Sequence, residues 1–498
     1  MIFLPPLRRQ SGFVFIFAFF AVNFTLPMTP AFAQTIAQQL FATHETYRED
    51  SLHHRRFKQK DILPLIENLK TDSRFEVTQV GESVEKRPIQ LIKVGNGPRK
   101  VLLWSQMHGD EPTATMALFD LFNWLRKSDE FDSLRQQILA ETTLYFVPML
   151  NPDGTERYKR RNALDIDLNR DALRLQSPES RILKNLQQTL KPYFGFNLHD
   201  QNTRYSAGPT SKQATISFLA TAYDEARNIN PVRERSMQLI VSMNRVLQEF
   251  IPGGVGRFSD EFEPRAFGDN IQKWGTTLVL IESGGYPNDP EKQFIRKLNY
   301  VSIITALQTI ATDAYQTESR LDYNTIPENE RYLFDVLIRN AQIVRNGKTY
   351  KMDIGINHNE INTNGARSFA YRSSIEDLGD LSTFFGIKEI DAEGLTLVPG
   401  HVYSDKLASV SDLKKLNLDS LLQQGVTTFR LAKPTRVSSV QAPVHLLQPN
   451  SSPAKWIQTG QTGSFLLRRG NKLLYTFVNG FWYDVEKGDN QLTNGVIE

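Results

Sequence analysis

Between residues 100 and 312, short apolar runs alternate with longer segments whose apolar residues recur at helical spacing. That alternation constrains the chain more than any other feature. Repeated strand and helix units bury their hydrophobic faces when helices cover a mainly parallel sheet. Val101-Leu102-Leu103-Trp104 is predicted to be a buried strand. From Pro112 to about Lys127, residues Met116, Leu118, Phe119, Phe122 and Leu125 make an apolar helical stripe, with Pro112 suited to the first turn. Residues 143–149, 194–198 and 277–281 read as further strands, and Asp289-Pro290 is expected to start a helix reaching about Thr312. In open sheets of this kind, the loops at the strands' carboxyl ends converge on one crevice. Here the first strand ends at His108 and Glu111, and the second leads to Asn151-Pro152-Asp153-Gly154. The third strand runs into His199 and the fourth into Glu282.

The chain has no cysteine, so thiolate metal sites, disulfides and a cysteine nucleophile are excluded. Histidine and carboxylate remain as ligand types. His108, Glu111 and His199 would offer two imidazoles and a carboxylate to one divalent ion, leaving a position for water. A carboxylate beside that water takes its proton, and Glu282 is the candidate. The segment RRNALDIDLNRD, residues 160–171, adds arginines able to hold an oxyanion or a terminal carboxylate, tasks that Arg161 and Arg170 would divide.

The ordered set H-x-x-E, N-P-D-G, R-N-A, D-L-N-R, L-H and a glutamate closing an apolar strand resembles the zinc metallocarboxypeptidases of the carboxypeptidase A type. The likeness runs from about Phe75 to Thr312. It implies one Zn2+ held by His108, Glu111 and His199, catalysis by Glu282, oxyanion support from Arg161, and substrate-carboxylate binding by Asn169 and Arg170. It also implies an α/β fold with a mixed, mainly parallel sheet between helices, followed here by a smaller β-rich C-terminal region. The chain departs from many relatives in three places. GRFSDEFEPRAFGDN carries no tyrosine to cap the substrate, Asp171-Ala172 follows D-L-N-R, and Arg160 adjoins Arg161, which is chosen because Asn162-Ala163 follow it.

At the N-terminus, Arg8 and Arg9 precede an apolar run from Phe13 to Leu26, and Ala31-Phe32-Ala33 has the form of a signal-peptidase site. Residues 1–33 are therefore expected to be a signal peptide, giving a periplasmic or secreted protein with no stable membrane anchor after cleavage. Its loss lowers the formal charge from +3 to about +1, which argues against nucleic acid as a partner. The expected organisation is a catalytic domain over residues 34–320 with a helical lead-in, a β-rich α/β module over 330–435, and a β-hairpin module over 436–498.

Within those modules, Asn346-Gly347, Arg469-Gly470-Asn471 and Asn479-Gly480 are hairpin signals. The aromatics of the last hairpins are expected to pack against the catalytic domain, with ligand recognition as the alternative. His53-His54-Arg55-Arg56 reads as a polar helix face, and the histidines at 44, 53, 54, 358, 401 and 445 as solvated surface residues. The substrate is expected to be a peptide, with removal of its C-terminal residue as the reaction. A cell-wall peptide amidase or endopeptidase on the same scaffold, and a non-catalytic peptide- or glycan-binding protein, are the alternatives. The pattern carries no signal for oligomeric state.

Overall fold

A computed structural model describes Met1, residues 35–488 and residues 493–498. Apart from Met1, the leader expected over residues 1–33 lies outside the described residues. No helix among the described residues is long and apolar enough to cross a membrane.

The catalytic region is built on an eight-stranded sheet. In chain order the strands of this region are β1 (Phe75–Glu82), β2 (Pro88–Val94), β3 (Arg99–Ser105), β4 (Thr142–Val147), β5 (Phe194–Asp200), the separate two-residue β6 (Ser206–Ala207), β7 (Ile216–Leu219), β8 (Val255–Arg257) and β9 (Thr277–Ser283). Their order across the sheet is β1-β2-β4-β3-β5-β9-β7-β8. The centre, β4-β3-β5-β9, is parallel, and antiparallel pairings flank it on both sides. Every residue of β4 is buried, as are Val101 to Ser105 of β3, as a strand covered on both faces requires.

Successive side chains of β3 enter two separate cores. Val101 and Leu103 join one, and Leu102 and Trp104 join the other. The first core is covered by α3 (Thr113–Arg126) and α9 (Gln293–Ala311), and the second by Pro178–Leu190 and Phe267–Lys273. The expected α/β architecture with a mixed, mainly parallel sheet is thus present. The last helix of this region begins at Gln293, not at Asp289-Pro290. Asp289 caps it from four residues upstream, accepting the backbone N–H groups of Gln293, Phe294 and Ile295.

The lead-in is bound into the same core. His44 is 1% exposed and bonds Asp120 of α3 at 2.9 Å, while Arg296 of α9 grips both Asp120 oxygens. His44 is therefore a core residue rather than a surface one, its Nε2 bonded to an Asp120 carboxylate that Arg296 holds in place. Arg55 and Arg56, expected on a polar helix face, lie outside any helix and are 6% and 3% exposed. Both pair with Glu360 of the C-terminal region, and that carboxylate is what makes their burial tolerable.

The C-terminal region holds two sheets. Leu333–Arg345, Lys348–Thr363, Ser368–Gly379, Phe385–Asp391, Thr396–Pro399, Phe465–Arg469, Lys472–Val478 and Phe481–Asp484 form the first. His401–Leu407, Val426–Leu431, Ser439–Gln441, His445–Leu447 and Asn494–Ile497 form the second. Each sheet therefore takes strands from both sides of residue 435. The boundary expected between 435 and 436 falls inside both, since non-local pairing rather than proximity along the chain decides sheet membership. The three hairpin turns form where glycine or asparagine signals them, with Asn346, Gly347, Asn479 and Gly480 all at positive φ.

Candidate active site

The chain passes from adjacent β3 and β5 in opposite directions across the sheet, from β3 outward to β4 and from β5 outward to β9. A crevice opens at the carboxyl ends of strands where the order reverses in this way. The loop after β3 carries His108 and Glu111, and β5 delivers His199 near its last residue. His199 lies directly opposite Glu282 in the parallel β5–β9 pairing, so both side chains leave the same face of the sheet.

The loop after β3 is shaped by its neighbours rather than by a regular element. Gln106 adopts φ +45 and turns the chain, and its side-chain amide donates to the Gly109 carbonyl and to Thr155. Asn151 accepts the Gly154 N–H and donates to the Met107 carbonyl, so the N-P-D-G segment braces the ligand loop and contributes no ligand itself. Gly109 has to be glycine. A Cβ there would lie 2.0 Å from the Gly154 carbonyl carbon, which is backbone and cannot swing aside.

His108, Glu111 and His199 present donor atoms within 4.8 Å of one another, and all three are buried. Glu111 sets one oxygen 2.8 Å from His108 Nδ1 and the other 2.7 Å from His199 Nδ1. The two Nδ1 atoms are 3.2 Å apart. Two imidazole lone pairs and a carboxylate aimed at one point repel unless a cation lies among them. Two nitrogens, one oxygen and no sulfur make a donor set that zinc accepts. The residues therefore fit one such ion.

Behind the clamp, Asp167 accepts from His108 Nε2 at 3.1 Å. This is the carboxylate–histidine arrangement that fixes a ligand's tautomer and ring plane. Burial opposes a charge on His108, but Glu111 and Asp167 outweigh it and hold the imidazole's pKa up at about 9. Burial also opposes ionisation of Glu111, yet the two histidines drive its carboxyl far below the usual range. Burial pushes Glu282 well above the ordinary carboxylate value, and Glu111 and Asp200 add to the effect. Glu282 Oε2 is buried with no hydrogen-bond partner among the described residues, so it remains available to a water or substrate proton.

The arginine at this site is Arg160. Its Nη1 lies 3.1 Å from His108 Nδ1 and 3.4 Å from Glu111, and its Nε donates to Asp167 at 2.9 Å. Arg161, selected from the sequence for the oxyanion, is exposed and donates to the Asp165 carbonyl. Adjacent residues in this irregular segment point in different directions, and the Asn162-Ala163 neighbours that favoured Arg161 carry no information about direction. Asn169 accepts the Phe267 N–H at 2.8 Å, tying D-L-N-R to the helix that precedes β9. Arg170 is exposed and pairs with Glu263 at 3.1 Å.

Further residues meet at this site. Asp167, seven residues after Arg160, bonds both Arg160 and His108. Asp200 and Lys292 form a buried pair at 3.0 Å, and Thr113 donates to Asp200 at 2.6 Å. Together they join the end of β5, the start of α3 and the loop after β9.

The zinc carboxypeptidase family model matches residues 62–232, which include all three clamp residues and stop short of Glu282. Carboxypeptidase SOL1 of Arabidopsis thaliana is 28% identical over 186 residues, covering 31% of this chain and 38% of its own length. Carboxypeptidase 2 of Trichophyton rubrum is 27% identical over 191 residues, 37% of this chain and 31% of its own length. The chain thus spans about a third of the length of these curated relatives. Among solved structures, a metallo-carboxypeptidase from Pseudomonas aeruginosa in complex with (2-guanidinoethylmercapto)succinic acid is 19% identical with a TM-score of 0.43. That alignment covers 52% of this chain and 70% of the other. Residues 62–232, with the clamp they carry, thus match the zinc carboxypeptidase family.

Proposed function

We propose that this protein is an exported zinc-dependent metallocarboxypeptidase that hydrolyses the C-terminal amide bond of a peptide, using one zinc ion held by His108, Glu111 and His199. The observation that carries the reading is the convergence of two histidine Nδ1 atoms on the two oxygens of one carboxylate, with Glu282 in register beside them. The ion would supply a Lewis acid that polarises the scissile carbonyl and acidifies water. Glu282 removes the proton from the attacking water and hands it to the departing amine. Its burial among carboxylates favours holding that proton between the two events. Arg160 offers N–H donors to the charge that develops on the carbonyl oxygen. Arg170 accepts the substrate's terminal carboxylate beside the amide of Asn169. Asp167 keeps His108 oriented.

Metal analysis and peptide digestion test this reading. The purified protein should carry one equivalent of zinc and release free amino acids from peptide C-termini. Glu282→Gln should retain the zinc and lose about 10²- to 10⁴-fold in kcat, the usual contribution of a positioned acid–base group. Zinc bound without turnover of any peptide would overturn the assignment.

A further inference from the structure

Beside the clamp lies a cleft of about 880 Å³, at the large end of the range for ligand pockets. One wall belongs to the catalytic region: Asp110, Glu111, the residues following His199, and the loop from Gly284 to Pro290. The facing wall belongs to the C-terminal sheet and includes His358, Asn359, Lys388, Phe481 and Trp482. Arg160, Asn169 and Arg170 do not line this cleft. Glu111 of the clamp lines the cleft while Arg170, proposed to hold the terminal carboxylate, does not, so the cleft offers room to the upstream residues of a peptide cut at the clamp.

The far wall is firmly built. Asn479 is fully buried, accepts the Ser373 N–H at 2.8 Å and donates to the Tyr371 carbonyl at 2.8 Å. Gly480 follows at φ +74, with no room for a Cβ against His358 and Ser373. The turn thus fixes Phe481, which stacks on His358 with ring centres 4.1 Å apart and planes 3° from parallel, and Trp482 next to it. Across the cleft Tyr286 is 37% exposed and braced by Phe294 at 4.1 Å.

Charge is distributed unevenly along this cleft. Arg55, Arg56, Arg204 and Lys292 all line it, and each is paired with a protein carboxylate. Lys388 is exposed, has no carboxylate partner among the described residues, and sits 5.9 Å from the Trp482 ring centre.

We infer that Lys388, Phe481 and Trp482 form a subsite for the substrate chain on the amino side of the scissile bond. The subsite selects an extended peptide bearing a carboxylate upstream of the cut. The inference rests on the peptidase reading above and deepens it. Aromatic faces hold the extended chain, and the unpaired ammonium prefers an acidic side chain to a neutral or basic one.

The test compares the zinc-loaded enzyme on a blocked dipeptide and on hexapeptides carrying Glu, Gln or Lys at upstream positions. The Glu hexapeptide should show about tenfold higher kcat/KM than its Lys counterpart, and Lys388→Glu should reverse that order. Trp482→Ala should lower kcat/KM about tenfold on all hexapeptides and by a smaller factor on the dipeptide. Equal losses on dipeptide and hexapeptide, or an unchanged charge order in Lys388→Glu, would overturn the proposal. So would a preference for glycan-linked peptides that Lys388→Glu does not alter. If no peptide is cleaved, the peptidase reading fails on its own. The subsite is then judged by calorimetric binding of the Glu and Lys hexapeptides to wild type and Lys388→Glu, where charge reversal supports it and identical affinities overturn it.

Discussion

At the scale of single residues, the site depends on which of two neighbouring arginines faces the clamp. Arg160 reaches His108 and Glu111, while Arg161 serves only the Asp165 carbonyl. Arg160→Ala should therefore cost about 10²- to 10³-fold in kcat, the magnitude typical of a lost oxyanion donor. Arg161→Ala should remain near wild type in the same steady-state assay, and the reverse pattern would return the role to Arg161. Asp167 acts one step further back, through His108. Asp167→Asn should weaken zinc binding about 10- to 100-fold in a chelator competition, as loss of a carboxylate behind a ligating histidine does. Unchanged affinity would reduce Asp167 to a partner of Arg160. The clamp residues and Glu282 were legible in the sequence because H-x-x-E, L-H and a strand-closing glutamate fall at the ends of β3, β5 and β9. Asp167 and Arg160 were not, because their side-chain directions are set in a segment with no regular period.

Among the elements, the loop after β3 is where backbone packing controls chemistry. Gly109 and Gly154 touch backbone to backbone, so H-G-D-E and N-P-D-G form one interlocked unit although they are distant in sequence. Gly109→Ala must push these loops apart and displace His108 and Glu111. Displacements on the order of 1 Å cost about 10²-fold in turnover, and that loss should appear together with weakened zinc binding. A variant with normal zinc affinity and normal kcat would show that the loops yield freely. Four of the eight strands of this sheet, β3, β4, β5 and β9, were readable within a residue or two because each is a continuous apolar run between polar segments, whereas the outer strands β1, β2, β7 and β8 carry no such run or only a short one. The start of α9 was not, because Asp289 satisfies the helix's first N–H groups from outside it.

For the whole molecule, the C-terminal region is fastened to the catalytic region by ion pairs and hydrogen bonds between them. Arg55 and Arg56 share Glu360, Lys58 donates to the Ala366 carbonyl at 2.9 Å, and Arg367 pairs with Asp61 at 3.0 Å. Removing the charge of Glu360 leaves two buried guanidinium groups without a carboxylate. Glu360→Gln should therefore destabilise the protein by about 1–3 kcal/mol in denaturant unfolding, less than breaking a fully buried pair costs because the Glu360 side chain is 25% exposed. Burial opposes the charge on Glu360, but the two arginines outweigh it and lower its pKa from the ordinary 4.5. A carboxyl depressed in the folded state contributes fully above that ordinary value. Its contribution is lost as pH falls toward the folded value, because the unfolded chain takes up the proton first. Wild type should thus lose stability below about pH 4.5 more steeply than Glu360→Gln, and parallel acid profiles would show that the pair contributes nothing.

The amino-acid order by itself determined the α/β class, the strand ends at which chemistry collects, the ligand types and the hairpin turns. Each of these follows from local periodicity, from the absence of cysteine, or from glycine and asparagine at positive φ. Tertiary structure alone decided that Arg160 rather than Arg161 faces the clamp, that Arg55 and Arg56 are buried, and that both C-terminal sheets cross residue 435. It also placed the last hairpins along the cleft. Those outcomes depend on partners tens to hundreds of residues away, and no local pattern encodes which carboxylate or strand will arrive beside a given side chain.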